Sequence, residues 1–193
     1  VRTGAVFERE MLFTHSYLTS VFLPLRRPAD GVRAISRSSG KVSMELTAGS
    51  LPDAKTGHFM PVPLPYGSKA RLILLTLNSR AVKTRSREIE LEASFTAFAR
   101  DLGHSTCHKS MVRLREQMRR MSVLTMRLAK KGGDSVEVFN APLFEEFVAT
   151  YSKNPAQQLL FPDRVSFSKK YVDSLFRHAT PIAKDQLSAI QDS

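Results

Sequence analysis

The chain has 193 residues, 42% of them hydrophobic and 8% aromatic, with one cysteine and a formal net charge of +11. That much apolar material builds a packed core and excludes wholesale disorder, and no apolar run is long enough to span a bilayer. No signal-peptide pattern opens the sequence, and the lone Cys107 excludes an internal disulfide, so a reducing, cytoplasmic compartment is expected.

The charge is unevenly spread. Val1–Met60 carries 8 Lys/Arg against 5 Asp/Glu, Pro61–Lys131 carries 15 against 5, and Gly132–Ser193 carries 6 against 8. The positive field therefore sits on the middle of the chain, and a polyanion is the natural partner. An anionic membrane surface would accept the same charge, but the apolar side of this segment is needed for its own core.

Residues 1–60 read as β-rich and irregular. Ser16–Leu23 consists of strand formers and stops at Pro24, ahead of the basic loop Arg26-Arg27-Pro28. Gly31–Lys41 spaces Arg33, Arg37 and Lys41 among serines and reads as a solvated loop rather than a phosphate contact. Val42, Met44 and Leu46 alternate with Ser43, Glu45 and Thr47, a strand ending at Gly49. Leu51–Pro65 holds four prolines and a glycine and is a connector, with PVPLP a rigid lead rather than a polyproline ligand.

Tyr66-Gly67-Ser68 opens a helix over KARLILLTLNSRAV, with Ser68 as its expected cap. Leu72, Leu75, Leu77 and Val82, helped by Ile73 and Leu74, predict a helix buried between neighbours. Thr84–Arg87 is a polar turn. Ile89 and Leu91 then alternate with Glu88, Glu90 and Glu92, a short strand with a wet acidic face.

Ala93–Met121 is the most informative stretch. Phe95, Phe98, Ala99 and Leu102 recur at helical spacing, Gly103 supplies the stop, and Ser105 or Thr106 caps the next helix. On that second helix Met111, Leu114, Met118 and Met121 share one face. Lys109, Arg113, Glu116 and Arg120 lie opposite, with Arg115 and Arg119 on a flank. A helix apolar on one side and cationic on the other, after a tight turn, is the helix-turn-helix pattern. Leu124, Met126 and Leu128 then alternate toward Lys130-Lys131-Gly132-Gly133-Asp134, and Val136 and Val138 alternate after it, a basic β-hairpin.

Helix, strand, helix, helix and hairpin follow one another from Tyr66 to Asn140. With the Ile89–Leu91 strand joining the hairpin in a three-stranded sheet, they predict a winged helix within an α+β fold. Pro142–Tyr151 (PLFEEFVATY) reads as an acidic, aromatic short helix or strand edge, and Ser152–Pro162 as a polar linker. The expected division is a β-rich region over 1–60, a winged-helix domain over 61–150, and over 151–193 a linker with the start of a second, incomplete winged-helix unit.

Nothing in the sequence predicts catalysis or a cofactor. His104, Cys107 and His108 lack the four-ligand spacing of a structural zinc site, and the chain has no Gly-rich phosphate-binding loop with its lysine. Glu88, Glu90 and Glu92 resemble a solvated edge more than an acid/base pair. Double-stranded DNA is the expected ligand. The N-terminal half of a recognition helix enters the groove deepest, so Thr106, Lys109, Ser110, Arg113 and Gln117 are the expected base contacts. Arg115, Arg119, Arg120, Arg127, Lys130 and Lys131 are the expected phosphate contacts, with Lys69, Lys83, Arg85 and Arg87 in second rank.

The chain resembles the RepA-type plasmid replication initiators. The resemblance is carried by PYGSKARLILLTLNSRAVKTRSREIEL (Pro65–Leu91), SFTAFARDLG (Ser94–Gly103) and RLREQMRRM (Arg113–Met121). It extends more weakly to FLPLRRP (Phe22–Pro28), MELTAG (Met44–Gly49) and LFPDRVSFSKKYVDSLFRHATPI (Leu160–Ile182). It implies a winged-helix protein that binds repeated origin sites (iterons), opens the duplex with the host initiator and helicase-loading proteins, and represses its own promoter, with a homodimer as one state. A winged-helix repressor with no role in replication is the alternative. Two departures stand out. HSTCHKS (His104–Ser110) is shorter than the family's usual Gly-rich turn, and QLSAIQDS falls where the family continues into an apolar helix. The second winged-helix unit is expected to begin near Val165, with a helix over Ser168–His178.

Overall fold

A computed structural model describes residues 11–53, 55–91, 95–103, 105–148 and 164–183. The expected linker at Ser152–Pro162 lies outside them, as does His104. In chain order the first half runs β1 (Met11–His15), α1 (Ser16–Ser20), β2 (Ala34–Ser39), β3 (Val42–Ala48), β4 (Ser50–Pro52), β5 (Phe59–Pro61) and α2 (Gly67–Thr84). The second half runs β6 (Glu88–Glu90), α3 (Phe95–Asp101), α4 (His108–Met121), β7 (Leu124–Lys131), β8 (Val136–Pro142), β9 (Phe144–Val148), β10 (Arg164–Phe167), α5 (Lys169–Arg177) and β11 (Ala179–Ala183). The fold is mixed α+β.

Helix α2 is the post against which β1, α4, α5 and β6 pack. Leu72, Ile73, Leu74, Leu75, Leu77 and Ala81 are all buried, so its apolar surface runs most of the way round. Its cap is not Ser68, which lies inside the helix. Tyr66 is the N-cap without a side-chain bond, and Gly67, at φ +82°, donates its N–H to the Pro24 carbonyl. The helix ends where Arg85 takes the left-handed conformation and Ser86 N–H returns to the Ala81 carbonyl. Strand β1 lies along α2 with Phe13 N–H donating to Ser79 Oγ, and α5 is held by Tyr171 Oη donating to Asn78 Oδ1 at 3.1 Å.

Among the described residues the strands form four antiparallel sheets: β2-β3-β7-β8, β6-β10-β9, β1-β11 and β4-β5. In the largest, Met44 pairs with Leu128, Leu46 with Met126 and Ala48 with Leu124, and all six are buried on the inner face. The opposite face is polar, with the Arg127–Glu45 ion pair at 2.6 Å across β7 and β3.

Three expectations are corrected by these pairings. The hairpin β7–β8 forms as expected, but its sheet partner is β3, and β6 pairs instead with β10 through Ile89 and Val165. The apolar inner faces of β3 and β7 match residue for residue, whereas β6 offers a single buried residue to its sheet. Ser16–Leu23 is not a strand. The strand is Met11–His15, and the His15 imidazole accepts from Tyr17 N–H and starts the short helix α1. Gly31–Lys41 is not a bare loop, because β2 pairs along all of its length with β3 across a turn at Gly40-Lys41, Gly40 having φ +57°.

The Leu51–Pro65 connector contains the two-stranded ribbon β4–β5. Its tip is closed by Asp53, whose Oδ1 accepts from the N–H groups of Lys55 and Thr56. The helix expected over Ser168–His178 is α5, with Ser168 Oγ accepting from Tyr171 N–H as its cap. The acidic, aromatic stretch after Pro142 is strand rather than helix, as β9 on the edge of its sheet.

Candidate nucleic-acid interface

The α4 helix starts at a Cys107 N-cap, not at Ser105 or Thr106, and Ser105 Oγ accepts from Cys107 N–H. Met111, Leu114, Met118 and Met121 are buried as their spacing requires. Thr106, Lys109 and Arg113 are exposed, Ser110 is half-buried, and Val112 is 47% exposed. The N-terminal half of α4 thus turns cations, a hydroxyl and one apolar side chain to solvent.

The C-terminal half is different, and two predicted contacts are removed by it. Gln117 is buried, and its Oε1 accepts from the Tyr66 N–H at 2.9 Å. Arg120 is buried too: Nη1 donates to the Leu64 carbonyl, Nε to Glu116 Oε1, and the guanidinium lies 5.1 Å from the Tyr66 ring centroid. These side chains clamp the Leu64–Tyr66 lead into α2, so the structure turns Gln117 and Arg120 inward rather than presenting them at the surface. The apolar stripe hides this, since positions 117 and 120 neighbour it at helical spacing and become interior once α2 docks.

Glu116 is ion-paired in place by Arg119 and Arg120. Burial works against its charge, but hydrogen bonds from Arg119 and Arg120 outweigh burial and hold its pKa below the ordinary carboxylate value. Arg119 and Arg115 are half-buried on the flank.

Lys69, from the first turns of α2, joins this face. Its Nζ donates to Ser110 Oγ at 3.1 Å, and its pKa is lowered by burial first and then by nearby Arg113. The other second-rank cations do not join it. Lys83 is fourteen residues further along α2, about 21 Å at the helical rise. Arg85 stacks on Phe176 and Arg87 pairs with Glu145, so these belong to the opposite end of the helix.

Lys130 and Lys131 are exposed at the β7–β8 turn, and Lys131 N–H donates to the Lys41 carbonyl. The tip is therefore two neighbouring turns carrying Lys41, Lys130 and Lys131, one more cation than the hairpin alone. Arg127 is exposed, mid-strand and paired with Glu45. Sequence reasoning missed Val112, whose only signal was an apolar residue off the stripe, and Lys41, which needed the β2–β3 pairing.

His15 and Ser174 are 2.9 Å apart and buried, a pair that invites comparison with a hydrolase. However, His15 Nδ1 accepts from Tyr17 N–H, which places the neutral ring's proton on Nε2, facing Ser174. Burial, then His178, push the pKa down to about 4. A ring that already donates to the hydroxyl is not its base. Among the described residues no group of three or more His, Cys, Asp or Glu is placed to hold a metal ion, and no helix is long and apolar enough to cross a membrane.

The sequence model of the plasmid-encoded RepA protein family matches residues 64–193, about two-thirds of the chain, from the lead of α2 through α4 and the hairpin to the last residue. The chain belongs to this family of plasmid replication initiators. No curated relative matches it by sequence. Among solved structures, it is similar to a crystal structure of domains 2 and 3 of RctB, with TM-score 0.56 and 8% identity over 84% of this chain and 60% of that one. A second crystal structure of RctB domains 2–3 gives 0.50 and 10%, over 83% of this chain and 58% of that one. The chain spans about three-fifths of the length of each, and at these identities the likeness is one of fold.

Proposed function

We propose that this RepA family member starts plasmid replication by binding repeated duplex sites at the origin as a winged helix. In this reading α3 and α4 form the helix-turn-helix and the β7–β8 hairpin is the wing. The observation that carries it is the N-terminal half of α4, where Lys109, Val112 and Arg113 face solvent while Met111, Leu114 and Met118 anchor the helix. Thr106, Lys109, Ser110 and Arg113 read base edges, and Val112 meets thymine methyls. Lys69, Arg115, Arg119, Arg127, Lys130 and Lys131 supply phosphate contacts that set register without reading sequence. Lys83, Arg85 and Arg87 form a separate cationic end of α2 and remain second-rank.

The chain itself performs no covalent step in this reading and needs no cofactor. Specific contacts offset the deformation of an adjacent AT-rich segment, which the host initiator and helicase then exploit. The protein acts in the bacterial cytoplasm, with a homodimer as the form that represses its own promoter.

The test is complementation. A small replicon deleted for its initiator gene is expected to replicate when this protein is supplied, and footprinting on its origin should show regularly spaced protection. Protection at a promoter with no support of replication would establish the repressor alternative instead. Duplex binding without a steep salt dependence would rule out both.

A further inference from the structure

Beside the end of α1, the edge strand β2 and the second turn of α2 enclose a cleft of about 520 Å³. Thr19, Ser20, Ser39, Phe22, Arg37 and Arg71 contribute to its walls, and no carboxylate does. Arg71 is set in place: Nε donates to the Leu23 carbonyl at 2.8 Å, and the guanidinium lies 5.2 Å from the Phe22 ring centroid. That bond uses one of five N–H donors, and the other four have no protein partner among the described residues. Arg37 is exposed and unpaired among those residues. Burial first, then the nearness of Arg37, lower the Arg71 pKa.

Two guanidinium groups lining one cleft with no acid among its walls repel each other, and a phosphate taken by both relieves that repulsion through charge-assisted, fork-shaped hydrogen bonds. We propose that this cleft is a phosphate seat, in which Arg37 and Arg71 take one phosphate group between them with the hydroxyls of Thr19, Ser20 and Ser39 alongside. The occupant is a backbone phosphate of the bound duplex, an assignment that rests on the DNA-binding reading above. The start of α2 links the two places, since Lys69 meets Ser110 of α4 while Arg71, two residues on, meets the segment leading from α1. Two residues apart on a helix, Lys69 and Arg71 point to nearly opposite sides of α2, about 200° apart round its axis, so the seat takes a phosphate where the duplex path continues round this helix end.

The first arm of the test titrates the protein with inorganic phosphate while following the arginine Nε–Hε signals by NMR. Those of Arg71 and Arg37 are expected to shift to saturation, the others little. Arg37→Ala removes an exposed side chain from an edge strand and is expected to abolish the Arg71 response. An even, non-saturating drift of all arginine signals overturns the seat, as does an Arg71 response that survives Arg37→Ala. The second arm measures duplex affinity against salt, where Arg37→Ala is expected to flatten the log–log slope by about 0.9, one phosphate. Saturable phosphate binding with an unchanged slope overturns the backbone assignment in favour of a free phosphate ligand. A wild-type protein without steep salt dependence on duplex DNA refutes the DNA reading, while the phosphate titration still decides the seat.

Discussion

Gln117 and Arg113 lie four residues apart on α4, and the structure gives them opposite surroundings. Gln117 Oε1 holds the Tyr66 N–H at the entrance to α2, and its side chain is buried. Gln117→Ala leaves that donor without its acceptor, a loss of about 1–3 kcal/mol. Taking about 2 kcal/mol, a chain of this size melts about 4–8 °C lower. Arg113 is exposed, so Arg113→Ala is expected to change stability by less than about 0.5 kcal/mol. Its cost should appear in binding, at about 1–3 kcal/mol on the specific site with preference relaxed at one base pair. That is about 5–150-fold in Kd. Thermal denaturation of the two variants, paired with competition between specific and random duplexes, reads both effects. If Gln117→Ala melts like wild type and loses discrimination at a single base pair, the assignment of Gln117 to the α2 clamp is wrong. If Arg113→Ala weakens specific and random duplexes equally, Arg113 is a phosphate contact and not a reader.

Lys131→Ala should weaken binding to all duplexes alike and reduce the salt slope by about 0.9; a loss confined to one sequence contradicts its assignment to a phosphate. His15 predicts acid sensitivity. Its folded pKa of about 4 lies below the ordinary 6.5, so between these values the unfolded chain takes up a proton that the native state refuses. Stability therefore falls as pH drops through that window, by about 2 kcal/mol at pH 5 relative to pH 7. Urea denaturation at the two pH values measures it, and His15→Gln is expected to flatten the difference. Gly49→Ala should destabilise by about 1–3 kcal/mol, because its Cβ would sit 2.6 Å from the Val123 carbonyl oxygen and 2.9 Å from Val123 Cβ. An unchanged melting temperature would show that this junction between β3 and the β4–β5 ribbon yields.

The elements written in local periodicity were legible. The stripe of Met111, Leu114, Met118 and Met121 announced α4, the Leu-rich run announced α2 as a buried post, and the alternation in Val42–Thr47 and Leu124–Ala129 announced β3 and β7. What failed had no such period. Strand β2, AISRSS, offers no apolar alternation, and its place comes from backbone pairing to β3. The short helix at Ser16 was masked by strand-forming residues and is set by the His15 cap. The cationic set was legible as a list, but its division was not. Arg119 and Arg120 are adjacent in sequence, yet one is half-buried on the flank and the other is buried against Leu64 and Tyr66.

By itself the sequence determined a positive field over the middle of the chain, a buried leucine-rich helix, a cationic helix on an apolar underside, and the family those motifs resemble. Each is fixed by neighbours within a few residues, where period and composition act directly. Only the tertiary structure decided that the hairpin pairs with β3 and β6 with β10, that Gln117 and Arg120 serve the core, and that Arg37 and Arg71 line one cleft. Those outcomes depend on which segments, tens of residues apart, bury their apolar faces together. A side chain's neighbours in space are set by that docking and leave no mark on its neighbours in the chain.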